Sequence, residues 1–220
     1  HGAYMEGLAL ARALPASPLM ENRRFTPFET LERERSWWQL LTIHPIENSY
    51  GGKAGAMVHT LAVDPFNANI VYTGSFGGLA KTTDGGFTWQ YLSDAWASQS
   101  VSAIAVDPNA SRIVYAGTGR EDCGPYGVGL YRSLNGGLSW SRPPGSDHFA
   151  GTYVRTIAID PNASGSESST TLYVANNSGL WRSTDSGTTF TQKRQRGSYD
   201  VAIHASSFPS IVYVTDDGGT

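Results

Sequence analysis

The chain has 220 residues, with 16 Lys+Arg against 19 Asp+Glu and a formal net charge of −3. Apolar residues at 40% and charged residues at 16% exclude a disordered tail and suit one large domain or two small ones. The mild negative charge argues against a nucleic-acid partner, no apolar run approaches the roughly 18 residues of a membrane-spanning helix, and the lone Cys123 cannot make an internal disulfide.

Residues 1–40 read as a leader. Leu8, Leu10, Ala13 and Leu14 are apolar before Pro15 and Pro18 interrupt. In Thr26-Pro27-Phe28-Glu29, Thr26 can cap, Pro27 fits the first helical position and Glu29 can complete a capping box. A short helix is expected from about 27 to 36, carrying Glu32-Arg33-Glu34-Arg35 on a solvated face.

From residue 56 the chain repeats. A strand signal, Val58-His59-Thr60-Leu61-Ala62-Val63-Asp64-Pro65, returns as Val101 to Pro108 and as Val154 to Pro161, with a degenerate copy at Val201-Ala202-Ile203-His204. Asp-Pro ends each of the first three runs as a turn. Second strands follow at Ile70-Val71-Tyr72, Ile113-Val114-Tyr115, Leu172-Tyr173-Val174 and Ile211-Val212-Tyr213, and third strands at Leu79–Lys81, Leu130–Arg132 and Leu180–Arg182. A tight turn leads to fourth strands near Thr88–Gln90, Ser139–Ser141 and Thr189–Thr191. Four short strands recurring after 43 and then 53 residues fit β-propeller blades, with a β-sandwich as the alternative.

The first strands carry large residues on one face (Leu61 and Val63, Ile104 and Val106, Ile157 and Ile159) and small ones on the other (Thr60 and Ala62, Ala103 and Ala105, Thr156 and Ala158). Both faces are therefore expected to be buried, large against small. The predicted organisation is all-β. A leader (1–40) precedes a partial propeller (41–220), with blades near 56–98, 99–151, 152–197 and an incomplete one at 198–220. An open end would leave an unpaired apolar face, so the remaining blades are expected from a longer chain or, second, from another copy.

The turn between third and fourth strands reads Thr82-Thr83-Asp84-Gly85-Gly86-Phe87-Thr88-Trp89, then Ser133-Leu134-Asn135-Gly136-Gly137-Leu138-Ser139-Trp140, then Ser183-Thr184-Asp185-Ser186-Gly187-Thr188-Thr189-Phe190. The Asp or Asn side chain can accept backbone N–H bonds within its own turn, and the terminal aromatic can plug the blade edge. These turns resemble Asp-box (BNR) repeats, as in xyloglucanase-like, sialidase-like and sortilin-type propellers and photosystem II assembly propellers. The resemblance covers about 56–220 and implies a propeller, seven-bladed when complete, of which about three and a half blades are present. It also implies that Asp84, Trp89, Asn135, Trp140, Asp185 and Phe190 are structural.

Function is expected in loops near the axis of one face. His59, Ser102, Arg155 and Tyr199 occupy equivalent positions at the starts of the first strands and could ring a channel mouth. The long loop 117–129 offers Arg120, Glu121, Asp122 and Tyr126. Trp96 lies in one inter-blade loop, and Arg142, Asp147 and His148 in the next. Glu121, Asp122 and Cys123 form no coordination pattern, so no metal or cofactor is expected.

Glycoside hydrolysis needs paired carboxylates, for which Asp122 and Asp147 are candidates. The xyloglucanase resemblance implies a catalytic Asp in a Thr-Asp-x-Gly-Gly segment of the first blade. Here that blade reads Gly74-Ser75-Phe76-Gly77-Gly78, while the pattern stands in the fourth blade as Thr215-Asp216-Asp217-Gly218-Gly219, making Asp216 the best single candidate. The Arg-Ile-Pro signature of sialidases is absent, and Glu21-Asn22-Arg23-Arg24-Phe25 is no substitute. Asn109, Asn162 and Asn176 head N-glycosylation acceptor patterns. The expectation is a secreted, periplasmic or surface-exposed propeller that binds protein or polysaccharide through one loop face. An endo-acting β-glucan hydrolase is the first alternative, and an assembly factor for a larger protein complex the second.

Overall fold

In the computed structural model, residues 58–119, 121, 127–216 and 218 are described, with backbone pairing at four further short segments. The helix expected at 27–36 lies outside the described residues. The four short segments pair in twos: β1 (Ala9–Leu10) with β2 (Leu40–Leu41), and β3 (Ile46–Glu47) with β4 (Lys53–Ala54).

The repeats form successive antiparallel sheets, as expected for a β-propeller. The first is β5 (Val58–Val63), β6 (Val71–Ser75), β7 (Gly78–Thr82) and β8 (Gln90–Tyr91), in that order. The second is β9 (Val101–Val106), β10 (Val114–Thr118) and β11 (Leu130–Ser133). The third is β12 (Val154–Ile159), β13 (Leu172–Asn176), β14 (Gly179–Ser183) and β15 (Thr191–Arg194). The fourth pairs β16 (Ser198–His204) with β17 (Ile211–Asp216). The first strands β5, β9, β12 and β16 neighbour one another in turn, which puts them innermost.

Fourth strands start later than the apolar pattern suggests. Thr88, Ser139 and Thr189 donate their amides to the side chains of Asp84, Asn135 and Asp185 at 2.9 Å, so these residues still belong to the turn. In the second sheet the fourth strand shrinks to a bridge between Arg132 and Ser141. Pro143 and Pro144 follow at once, remove two ladder donors and open a 3-10 helix over Pro144–Phe149.

The core fills the gaps between sheets. Tyr72, Leu79, Val101 and Val114 join the first two blades, Tyr115, Phe149, Val154 and Leu172 the next pair, and Ala175, Leu180 and Val201 the last. Each large aliphatic so buried stabilises the fold by about 1.5–3 kcal/mol. The two-faced burial expected of the first strands holds equally for β9 and β12, each of which has a first strand on either side. In β5 it fails at Val63, which is 44% exposed. Asp64 accepts the Phe66 and Asn67 amides of its own Asp-Pro turn, while the Asp of the second and third such turns has a double role. Asp107 accepts its own turn's Asn109 amide and, from the next blade, the Gly165 amide at 2.9 Å and the Thr170 hydroxyl at 3.1 Å. Asp160 likewise accepts the Asn162 amide and the Ser210 hydroxyl.

Candidate functional site

Each first strand carries a one-residue bulge near its start. Val58 pairs with Ser75 but Thr60 pairs with Gly74, so His59 is the extra residue. The same slip makes Ser102, Arg155 and Tyr199 extra in β9, β12 and β16. A bulged residue leaves the ladder and its side chain is re-aimed. All four side chains line one cavity of about 330 Å³, together with Phe76, Gly119, Glu121, Tyr153 and Val154. The ring expected from the repeat alignment is therefore a single concave site.

Arg155 is its organising residue, with a side chain only 9% exposed. Its Nη2 donates to Glu121 Oε1 at 2.6 Å and to the Tyr153 hydroxyl at 3.1 Å, while Nη1 donates to the Ser198 carbonyl at 3.4 Å. The guanidinium lies 3.7 Å from the Tyr199 ring centroid and 5.0 Å from that of Tyr153. Such stacking holds the rings upright while the fork makes its hydrogen bonds. The Tyr153 hydroxyl also donates to Glu121 Oε1 at 3.2 Å. Burial pushes the Tyr153 phenol above its ordinary value, with Arg155 opposing and Glu121 reinforcing the shift. Across the cavity His59 leans on Phe76, ring centroids 3.8 Å apart. The lining is thus aromatic and includes the ion pair of half-exposed Glu121 and nearly buried Arg155, a composition suited to a small polar ligand with flat apolar faces.

Five of the expected residues, His59, Ser102, Glu121, Arg155 and Tyr199, meet here. Two others sit elsewhere. Trp96 stacks on Tyr131 at 3.8 Å and meets Trp140 edge-on at 5.3 Å, inside the first blade interface. His148 stacks on Trp181 at 5.1 Å from the 3-10 helix. Arg120, Asp122 and Tyr126 lie outside the described residues. Phe76 and Gly119 are cavity residues with no counterpart among the expected ones. Phe76 had one usable signal, an aromatic inside the tight Ser75-Phe76-Gly77-Gly78 turn, where polar residues are usual.

Of the carboxylates, Asp147 is 85% exposed and pairs with Arg142. Asp216 ends β17, accepts the Ser198 hydroxyl at 3.1 Å and pairs with Arg194 of the preceding blade. Its counterparts are Ser75, Thr118 and Asn176, each ending the second strand of its blade. All three staple the hairpin that follows, by accepting the amides of Gly77, Val128 and Ser178. Asp216 therefore occupies a position that is structural in the other blades. It shares Ser198 with Arg155, whose guanidinium donates to that residue's carbonyl. Among the described residues no group of three or more His, Cys, Asp or Glu could hold a metal ion.

The turns between third and fourth strands form one bond set. Thr82, Ser133 and Ser183 each donate a hydroxyl to the acid or amide two residues on, and accept the amide of the glycine four residues on. Thr88 and Thr189 add hydroxyl bonds of 2.6 Å to Asp84 and Asp185. In the second blade the direction reverses, with the Asn135 amide donating to Ser139. These bonds stay within the turns.

No family model matches the chain. It is 29% identical to the xyloglucanase Xgh74A of Acetivibrio thermocellus, over 66% of this chain and 20% of that protein. It is 37% identical to a xyloglucanase of Hypocrea jecorina, over 48% of this chain and 11% of that protein. The chain thus spans about a fifth or less of the length of these relatives. Among solved structures it is similar to the GH74 enzyme of Niastella koreensis, at TM-score 0.55 and 28% identity, over 72% of this chain and 26% of that one. An ancestral GH74 enzyme shares the fold at TM-score 0.52 and 20% identity, over 81% of this chain and 25% of that one.

Proposed function

We propose that this chain forms blades of an extracellular propeller that acts on β-glucan of the xyloglucan kind, and that its part is to bind the polysaccharide. The observation that carries this is the similarity to xyloglucanases in sequence and in fold, at 28–29% identity. The turns between third and fourth strands serve in this reading as Asp-box staples that fasten the blades. The aromatic, charge-balanced cavity is of the kind that suits neutral sugar rings. Protein ligands fit the same face less well, because its cavity is small, about 330 Å³, and lined by nearly buried Arg155.

Hydrolysis is the second reading, and the Thr215-Asp216 segment favours it. In that role Asp216 would act on water or sugar as a carboxylate. A partner acid is needed about 5–5.5 Å away for retention, or about 6.5–9.5 Å for inversion. The test is electrophoresis of the protein through gels containing xyloglucan, beside a reducing-end assay. Retardation by xyloglucan but not by starch is expected, and its absence together with no new reducing ends would overturn the proposal. If reducing ends appear, Asp216→Asn should abolish them and leave the retardation.

A further inference from the structure

We infer that Tyr199 is the platform on which the cavity takes a backbone ring of a β-glucan, and that Arg155 is the positioning residue that holds this platform. The inference rests on the glycan reading of the cavity and goes further by naming the residue that meets the sugar and the part of the polysaccharide it meets. Tyr199 is the extra residue of the β16 bulge, so its side chain is turned out of the ladder. It lines the cavity and is 48% exposed. The Arg155 guanidinium lies over one face of its ring, 3.7 Å from the centroid, so the other face and the edges are what the cavity sees. The same guanidinium rests against Tyr153, whose hydroxyl is bonded to Glu121. Thr156, the next residue of β12, donates its hydroxyl to the Tyr199 carbonyl at 3.2 Å. Two successive residues of one blade thus fix the ring and the backbone of the platform carried by the next.

A platform held in this way is ready before the ligand arrives, so little ordering is left for binding to offset. The shape of the sugar decides which ring suits it. A β-linked glucopyranose carries its hydroxyls equatorially, so its faces are C–H bonds and its polar groups point outward round the rim. Such a ring lies flat on an aromatic face without burying an unpaired hydroxyl. Its glycosidic bonds are equatorial too, so the chain runs on in the plane of the ring. A side-chain residue joined by an axial bond rises from its own face and stacks less closely. Half-exposed Glu121, bonded to the same guanidinium, sets a carboxylate beside the platform, and a carboxylate accepts from the hydroxyl rim.

The test titrates cellohexaose, the backbone without side chains, by calorimetry into the wild type, Tyr199→Ala, Tyr199→Trp, Arg155→Met and the double variant Tyr199→Ala/Arg155→Met. Tyr199→Ala should lower the affinity about tenfold, and Tyr199→Trp should keep it. Arg155→Met should lower it about fivefold alone and not at all in the Tyr199→Ala background, because a positioning residue then has nothing left to position. Thermal unfolding midpoints show which variants are folded. Arg155→Lys, which keeps the charge and loses the plane, replaces Arg155→Met in both backgrounds if the latter does not fold. An unchanged affinity in Tyr199→Ala overturns the platform, and a full fivefold loss in the double variant overturns the positioning role. A wild type that xyloglucan retards but that does not bind cellohexaose overturns the backbone-ring assignment and leaves the glycan reading standing. A wild type that does neither overturns both.

Discussion

Tyr115 and Ser186 are joined across two blades: the Tyr115 hydroxyl donates to the Ser186 carbonyl at 3.3 Å. Ser186 has φ of 59°, and among the described residues it is the non-glycine with positive φ. Arg132, paired in register with Tyr115, donates to the same carbonyl at 2.8 Å. One blade earlier Tyr72 and its partner Lys81 converge on the Gly136 carbonyl at 2.9 and 2.7 Å. A tyrosine and a base thus clamp the same carbonyl of the following turn. Burial pushes both phenols up to about 12, so they remain hydrogen-bond donors across the working pH range.

Tyr115→Phe is expected to cost about 1 kcal/mol, the net worth of a buried hydrogen bond. Tyr115→Phe combined with Arg132→Met should cost more, because the Ser186 carbonyl then loses both donors and is left with its desolvation penalty. Urea unfolding followed by tryptophan fluorescence checks this: the midpoint should fall with the slope unchanged.

Acid should loosen the first and third blades before the second. The hydroxyl and amide of Thr88, then the hydroxyl of Thr82, hold Asp84 down to about 2, below its ordinary 3.8. For Asp185 burial alone would raise the value, but the Thr189 hydroxyl and amide and the Ser183 hydroxyl more than reverse that. A carboxyl with a depressed folded value binds fewer protons folded than unfolded, so its stabilisation is complete above the ordinary value. It is lost as pH falls through the folded one, which for Asp84 means between about 4 and about 2. Asn135 does not titrate. Asp84→Asn should leave a shallower loss of melting temperature from pH 5 to about pH 2.5 than the wild type shows, and an equal slope would refute the assignment.

Gly117→Ala should damage both the fold and the cavity. A Cβ there would come within 2.5 Å of Val154 Cγ1, the residue just before Arg155. Such overpacking costs about 1–3 kcal/mol, and any retardation by xyloglucan should weaken with the displacement of Val154. Gly218→Ala is the control, since nothing lies within 4 Å of its Cβ position. Its unfolding midpoint should match the wild type.

Expression in a glycosylating host should yield protein unmodified at all three acceptor patterns. Asn176 is fully buried, donating to Thr152 and accepting from Ser178. Asn109 and Asn162 spend their side-chain amides on the next blade: Asn109 bonds the Pro161 carbonyl at 2.7 Å and Asn162 the Ala205 carbonyl at 2.7 Å. A glycan on that nitrogen would displace those bonds. Intact-mass measurement of folded protein checks this, and a glycan at Asn176 would contradict the burial described.

What could be read from residues alone was what short-range chemistry determines. The Asp, Gly and Ser/Thr of each turn bond one another within five residues, so their spacing announces the turn. His59, Ser102, Arg155 and Tyr199 stood out because the repeat exposes polar residues in an apolar register. The bulge that unites them is a property of strand pairing and was invisible beforehand. Trp96 and His148 look like surface aromatics until folding brings Tyr131 and Trp181 against them. Phe76 and Gly119 reach the cavity from hairpin turns of two different blades, a proximity that only the packing of neighbouring blades creates.

The bulges also separate the burden of holding the scaffold from that of choosing a ligand. A side chain outside the ladder contributes no backbone pairing that its replacement could break. Imidazole, hydroxyl, guanidinium and phenol already occupy the four equivalent places on one unchanging backbone motif. Such positions can be rewritten one at a time, so the same blades offer a panel on which new ligand preferences can be composed without redesigning the sheets.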